Sequence, residues 1–470
     1  MTKKPNCRRA AAAMLAAIER GKTMDEAADR LSDLSPPDRR LAKAMVMFAL
    51  RRRGDITAIL AKYIKRNIPG RPHLARALLH IGAAQILLMD IPDHAAVAET
   101  VNACGRGEAP YRGLMNAVLR KLVTEKKNSD KADSTKNPEH NDHGLNYDPL
   151  SNFPEWMALQ WQENYGEEKA ESIADMHCHK PPLDLCFKSA EAVPQFMDTL
   201  TKADTSDINT QQLSPNVLRL MDTVDVETLP GFDAGDWWVQ DFAATLPGIW
   251  LDKLLAENQQ TETHILDLCA APGGKTMQLA SMGHQLTALD ISASRLGRLK
   301  ANLSRTGQQA DIIQADIMAD VLESTTSPLK DKTFDAVLLD APCSATGTIR
   351  RHPDLPLHRR EKDVLKLTEI QKDMLKRADQ WVRVGGLLAY ATCSLDPREG
   401  EAQMKDFLEQ NPNYEACAPT GLPEDLCGHF KEGSEFGYLR TTPADWRDKG
   451  GMDGFCECIH KLGNGFSRFE

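Results

Sequence analysis

Asp267-Leu-Cys-Ala-Ala-Pro-Gly-Gly-Lys-Thr276, DLCAAPGGKT, is the stretch whose reading decides the fold of this 470-residue chain. The apolar run HILDL enters it and the helix-spaced run KTMQLAS leaves it, so it reads as a strand turning through a glycine-rich corner into a helix. Gly273 and Gly274 let the backbone approach a ligand closely, and Asp267 opens the site. Gly274-Lys275-Thr276 also matches the end of a phosphate-binding loop. That pattern needs a glycine at 269, however, where this chain has cysteine. The remaining reading is a turn that holds an adenosyl cofactor.

Outward from this turn, from about residue 235, apolar strands alternate with helices: HILDLCA, QLTALDI, ADIIQAD, FDAVLLD and GGLLAYATCS. Such alternation predicts βαβ units and a mostly parallel sheet covered on both faces, binding ligands at the carboxyl ends of its strands. Asp290 closes the second of these strands, 23 residues beyond Asp267. A carboxylate there accepts both ribose hydroxyl protons. Asp316 closes the third strand, in reach of an adenine amine. Any one aspartate reads equally as a cap or turn residue; three at successive strand ends read as a site.

The fourth strand ends in Asp340-Ala-Pro-Cys343 and the fifth in Ala391-Thr392-Cys393-Ser394. A cysteine is ordinarily a small buried hydrophobe. Two beside a cofactor turn suggest chemistry on a poor carbon nucleophile, such as carbon 5 of cytosine. A thiolate adding at carbon 6 makes the ring an enamine whose carbon 5 attacks a sulfonium methyl. The site then needs a low-pKa cysteine, a proton donor near N3 and a route for the carbon 5 proton. Asp340 is placed for the N3 and amino edge, and the base must be single-stranded or flipped out.

The rest of the chain supplies context. Residues 7–125 repeat apolar positions at spacings of three and four, as in Leu41, Met45, Phe48 and Leu74, Leu78, Ile81, which predicts a small helical bundle. KKNSDKADSTKNPEHNDHG then reads as a linker. The expected domains are 1–127 all-α, 128–148 flexible linker, 149–230 small α+β, and 231–470 catalytic α/β. Net charge is −10, yet residues 1–125 hold 22 Lys and Arg against 12 Asp and Glu, leaving −20 for the remainder. This asymmetry points to a polyanion meeting the N-terminal part, with Arg51, Arg52 and Arg53 as phosphate contacts; the plain alternative is a solvated helix face.

With 41% hydrophobic and 26% charged residues, composition is that of a globular protein, and no apolar run approaches the roughly 18 residues of a membrane span. The basic, apolar start MTKKPNCRRAAAAMLAAIERG is broken by Glu19 and Arg20 and reads as a first helix rather than a leader. Eleven scattered cysteines without C-x-x-C pairs argue for a reducing cytoplasm and against a disulfide framework or structural zinc. Adjacent His177, Cys178 and His179 cannot converge on one ion, so no metal is expected.

DLCAAPGGKT, ALD, DAPCSATG and ATCS, in this order, resemble the RNA 5-methylcytosine methyltransferases. DRRLAKAMVMFALRRRGDI, DHAAVAETV and GLMNAVLRKL resemble the helical domain related to the antitermination factor NusB. That domain joined to the catalytic one, with WWVQDFAATLP, RRHPD and GGMDGF, is similar to the Sun/Fmu family, the bacterial small-subunit ribosomal RNA methyltransferase B group. The resemblance implies a NusB-like RNA-binding domain and a Rossmann-like catalytic domain that uses S-adenosylmethionine. It implies Cys393 as nucleophile, Cys343 as the thiol assisting breakdown of the covalent adduct, and Asp340 at the base. DNA cytosine methyltransferases use the Pro-Cys position instead, so order alone leaves the two thiols interchangeable. Cofactor contacts are implied at Cys269, Ala270, Ala271, Pro272, Gly273, Gly274, Lys275, Asp290, Asp316 and Asp340. The implied substrate is 16S ribosomal RNA, with cytosine 967 the family's site, and a cytoplasmic monomer is expected. A departure lies in LDLCFK, where Cys186 and Lys188 replace the family's Arg-x-Asn; Lys188 keeps a charge for phosphate. The rivals are a transfer RNA cytosine methyltransferase and a non-catalytic RNA-binding or assembly factor. The intact cysteine pair speaks against the second.

Overall fold

The computed structural model describes residues 6–64, 74–132, 147–202, 208–222, 224–257, 262–319, 327–427 and 437–463. Helices of at least eight residues are numbered here. Residues to 180, with 349–359, form one compact unit, and 181–348 with 360–470 form another.

The first unit is helical: α1 (Cys7–Ile18), α2 (Pro36–Arg51), α3 (Arg53–Ala61), α4 (Ala75–Leu87), α5 (Asp93–Asn102), α6 (Arg112–Ala132), α7 (Glu155–Tyr165) and α8 (Glu167–Cys178). Side-chain caps start the first two, Asn6 accepting from Arg9 N at 3.0 Å and Ser35 from Asp38 N, with Pro36 in the first turn of α2. Helix α4 is buried on every side except Arg76 and is the axis of the core. Gly82 lets α6 approach closely there: a Cβ would come within 2.8 Å of Leu119 Cδ2 and would have to displace that side chain.

Three expectations change in this unit. Helix α6 runs through Ala132, into the stretch read as a linker from 128. Residues 128–132 are Asn-Ser-Asp-Lys-Ala, with neither glycine nor proline to stop a helix already propagated by Glu125, Lys126 and Lys127; residues 133–146 of that stretch lie outside the described residues. The α+β segment expected from 149 divides near 180, because α7 and α8 belong with the helices. Asn152 holds that segment there, donating to Asp55 Oδ2 at 2.9 Å and accepting from Asp55 N at 3.1 Å. The arginine triplet is not a phosphate surface. Arg51 and Arg52 are buried. Arg51 donates from Nε and Nη2 to the Arg350 carbonyl at 3.0 and 2.7 Å. Arg52 pairs with Asp55 at 2.6 Å and lies 4.2 Å from the Tyr147 ring centre, while Arg53 reaches Glu19 at 3.3 Å. Three adjacent arginines at the α2–α3 junction point in three directions, and each meets its own acceptor.

The second unit contains two sheets. Strands β1 (Leu183–Phe187), β2 (Thr210–Ser214), β3 (Val217–Leu220) and β4 (Trp237–Val239) form an antiparallel sheet in the order β2-β3-β1-β4. Helix α9 (Ala192–Lys202) packs Phe196 and Leu200 against Phe187, Leu218 and Trp237. Cys186 is buried against the Gln240 carbonyl and Lys188 is exposed.

The larger sheet takes β5 (His264–Leu268), β6 (Gln285–Asp290), β7 (Asp311–Gln314), β8 (Phe334–Asp340), β9 (Val382–Thr392), β10 (Tyr414–Ala416) and β12 (Cys456–Leu462) in the order β10-β12-β9-β8-β5-β6-β7; β11 (Leu439–Arg440) pairs with β12. Strands β5 to β9 are mutually parallel and β12 runs antiparallel beside β9. Alternate residues feed two cores. Ile265, Ala288, Leu338 and Ala389 join helices α10 (Phe242–Glu257), α11 (Gly274–Ser281) and α12 (Ala293–Thr306). Leu266, Leu268, Leu339 and Tyr390 join α13 (Glu361–Asp379) and α14 (Glu401–Gln410). From β5 the chain winds outward to β6 and β7, then returns to β8 and β9 on the other side. A crevice therefore opens at the carboxyl ends of β5 and β8.

Candidate active site

Each sequence-derived site residue can be placed on this crevice or beside it. After β5 the chain adopts a left-handed conformation at Cys269 (φ 61°), and Ala270 N donates to the Leu289 carbonyl at 3.1 Å. Gly273 (φ 108°) begins α11, where a Cβ would lie 2.2 Å from Leu299 Cδ1, so only glycine fits. Asp267 is buried; its Oδ2 accepts from Thr276 Oγ1 at 2.6 Å and its Oδ1 has no hydrogen-bond partner among the described residues. Burial pushes its carboxyl up to about 7, against the opposing hydrogen bond from Thr276.

Lys275 does not serve a phosphate loop. Its ammonium donates to Asp340 Oδ2 at 2.8 Å and lies 5.1 Å from the Phe455 ring centre. Burial opposes that charge, but Asp340 outweighs it and the pKa is raised. Asp290, buried at the end of β6, accepts from Ala271 N at 3.2 Å, Ser292 N at 2.8 Å and Arg295 Nη2 at 2.9 Å. Asp316 stands apart from this cluster. Strand β7 stops at Gln314, and Asp316 is exposed, accepting from Met318 N at 2.9 Å.

The two cysteines meet because neighbouring strands end level with one another. Asp340 on β8 is paired in register with Ala391 on β9. Cys343 follows the first by three residues and Cys393 follows the second by two, and their sulfurs lie 3.4 Å apart. The hydrogen bond with Cys393, then burial, push the Cys343 thiol well above its usual range. Cys343 thus holds its proton and Cys393, half-buried, faces it.

Sequence reading missed two parts of this site. Arg295, in the first turn of α12, pairs with Asp290 at 2.9 Å, and only the fold reveals that pairing. Strand β12 went unread because CECIHKL alternates poorly. It brings Glu457, buried, beside β9 in register with Ala391. Asp340, Ala391 and Glu457 therefore form a row across three strands. Among the described residues no group of three potential metal ligands converges, and no helix is long and apolar enough to cross a membrane.

A doubly wound sheet with a glycine turn after its first strand and an acidic residue closing its second is a Rossmann-like cofactor-binding arrangement, and the match of this unit to a methyltransferase family makes it that of an S-adenosylmethionine-dependent methyltransferase. Residues 254–455 match the family model described as 16S rRNA methyltransferase RsmB/F, and residues 5–124 match the NusB family. The ribosomal RNA small subunit methyltransferase B of Shigella flexneri is 32% identical over 443 residues, covering 93% of this chain and 97% of that one. That of Enterobacter sp. (strain 638) is 32% identical over 431 residues, covering 90% and 94%. The chain belongs to the ribosomal RNA small subunit methyltransferase B family. Among solved structures, PH0851 superposes with a TM-score of 0.70 at 21% identity, over 98% of this chain and 99% of its own. NSun6 from Pyrococcus horikoshii gives 0.54 at 17%, over 66% and 98%. Both speak for the fold.

Proposed function

We propose that this protein methylates carbon 5 of a cytosine in 16S ribosomal RNA, through a covalent bond between Cys393 Sγ and carbon 6 of the base. The observation that carries the reading is the pair of thiols, 3.4 Å apart at the ends of adjacent parallel strands, with the Lys275–Asp340 ion pair beside them. Methylation of an amine or hydroxyl needs no thiol, whereas an unactivated ring carbon does.

The residues present fit S-adenosylmethionine. Gly273 leaves the backbone open where a Cβ would collide, Asp267 offers a buried, unpartnered carboxyl oxygen, and Asp290 offers a carboxylate at the second strand end. Cys269 to Lys275 with Asp290 would hold it; Asp316, exposed beyond β7, would meet no more of it than the adenine edge. Bound there, the cofactor supplies an electrophilic methyl group. The Cys393 thiolate adds through Sγ to C6, the C5=C6 electrons move toward C4 and N3, and N3 takes a proton to give the enamine; Asp340, oriented by Lys275, would face that N3 and amino edge. Once carbon 5 carries the methyl group, its proton passes to water or another base in the site as the Sγ–C6 bond breaks and Cys393 leaves as a thiolate. Cys343, which keeps its proton 3.4 Å from Cys393, donates toward that departing thiolate and so assists release. The relatives named for the ribosomal small subunit favour 16S RNA as the substrate, and the family's cytosine 967 is the first position to map.

The test is methylation of unmodified 16S RNA with labelled cofactor, comparing wild type, Cys393→Ala and Cys343→Ala, with the product located by bisulfite sequencing. Loss of transfer in Cys393→Ala, with a trapped protein–RNA adduct in Cys343→Ala, upholds the reading. Label confined to transfer RNA, or indifference to both substitutions, overturns it.

A further inference from the structure

Cys343 and Cys393 stand on separate loops and are nevertheless held 3.4 Å from one another. Main-chain bonds between the loops contribute: Ala341 N to the Ala391 carbonyl and Gly347 N to the Cys393 carbonyl, both at 2.9 Å. Thr346 Oγ1 accepts from Leu395 N at 2.9 Å. One side chain, however, takes hydrogen bonds from both loops at once. Glu399, in the turn after β9, is fully buried. Its Oε1 accepts from Ser344 N at 2.8 Å and from Gln371 Nε2 on α13 at 3.1 Å. Its Oε2 accepts from Ser394 Oγ at 2.6 Å and from Ser344 Oγ.

Ser344 follows Cys343 and Ser394 follows Cys393, so this carboxylate joins the residue after each thiol. Gln371 also donates to the Pro342 carbonyl at 2.9 Å, just before Cys343, and Tyr390 Oη donates to the Glu399 carbonyl at 2.7 Å. A carboxylate with four donors has its lone pairs filled. Charge-assisted bonds of this kind are short and directional, which suits a bracket better than a solvated charge.

We infer that Glu399 is the positioning residue of the thiol pair: by accepting from Ser344 and Ser394 together, it sets the separation of Cys343 and Cys393. This rests on the reading of those two cysteines as the working thiols. Burial raises the Glu399 carboxyl while the serine bonds oppose the rise. Glutamine at this position keeps the shape but turns one acceptor into a donor facing the existing donors.

The experiment measures the thiols directly. Diamide oxidises the pair to a disulfide, itself being reduced to the hydrazine, and the sulfurs need close only from 3.4 Å to the bond length of about 2.05 Å. Wild type, Glu399→Gln, Glu399→Asp and Ser394→Ala are compared by disulfide formation in the native protein and by kcat and KM for RNA methylation. Misplacement on the order of 1 Å costs up to about 100-fold in rate. The expected result for Glu399→Gln is therefore at least a tenfold fall (~10-fold) in both diamide closure and kcat, with KM for the cofactor little changed. Ser394→Ala should fall less, and it carries the test if Glu399→Gln does not fold. Closure and kcat at wild-type rates in the folded variants overturn the inference. A wild type that closes fast and a Glu399→Gln that does not, with no RNA methylated by either, leaves the bracket standing and refutes the cytosine chemistry instead.

Discussion

Replacing Arg219 by leucine should destabilise the catalytic unit severely, by an amount that can be worked from its partners. Arg219 and Asp184 are fully buried and form a two-pronged pair, Nε to Oδ1 at 2.7 Å and Nη2 to Oδ2 at 2.8 Å. Arg219 Nη1 also donates to the carbonyls of Lys449 and Gly451 at 2.8 and 2.6 Å, joining β3 to the segment before β12. Without the guanidinium, Asp184 keeps the Phe242 amide, 2.9 Å away. A buried charge left uncompensated costs about 3–5 kcal/mol. At roughly 2–4 °C per kcal/mol for a domain of some 200 residues, the midpoint should fall by about 6–20 °C. The assay is thermal and urea unfolding followed by tryptophan fluorescence, since Trp237, Trp238 and Trp250 are buried in this unit. Asp184→Asn with Arg219→Leu should recover part of the loss, because the double variant no longer buries a lone charge. A loss below about 1 kcal/mol, or a double variant equal to the sum of the singles, would refute the reasoning.

Three further outcomes are expected. Burial above all, with Asp340 adding to it, raises the Glu457 carboxyl well above its usual range, although Lys275 and Arg440 pull the other way. The native state then holds a proton that the unfolded chain releases above pH ~4.3, so stability falls as pH rises from there, by up to ~1.4 kcal/mol per pH unit. Glu457→Gln should melt with the wild type near pH 4 and above it at pH 8, by a margin that grows with pH; a constant margin across calorimetric scans would contradict this. Lys275→Met leaves Asp340 without its ammonium and should lower kcat by about 10²-fold or more; a variant that methylates RNA at near wild-type rate would show that the ion pair is idle. Arg51→Gln should lower the melting temperature of the helical unit, at a cost of about 1–3 kcal/mol for the lost buried hydrogen bonds, while the salt dependence of RNA binding is unchanged. A slope reduced by about one would restore Arg51 as a phosphate contact.

The sequence carried the parallel sheet because its central strands are continuous apolar runs, and four of them end at residues that reach the crevice, Asp267, Asp290, Asp340 and, two residues past Ala391, Cys393, while the run of β7 leads to Asp316, which stands apart. Helices were readable from their spacing. Their partnerships were not, as the arginine triplet shows: Arg51 to Arg53 look identical in the chain, and only packing decides that they meet a carbonyl, an aspartate and a glutamate instead of RNA. The division near 180 escaped notice for the same reason, since α7 and α8 are joined to the helices through Asn152 and Asp55, 97 residues apart. Antiparallel β12 was invisible because Cys456-Glu457-Cys458 alternates but Ile459, His460 and Lys461 then break the phase that marks a strand.

What the sequence by itself determined is chemistry of local origin: the glycine turn at 273, the alternation of strands and helices, and the presence of two cysteines at strand ends. Each follows from residues a few positions apart, because backbone conformation and periodicity are local properties. Only the tertiary structure decided which groups share a space. The register of β8 against β9 brings Cys343 within 3.4 Å of Cys393 across 50 residues, and the pairing of β5 with β8 brings Lys275, at the start of α11, to Asp340 across 65. Glu399 reaches Ser344 across 55. Hydrogen bonds and thiol contacts act over about 3 Å in space, whatever the separation along the chain, so no reading of neighbours could have supplied them.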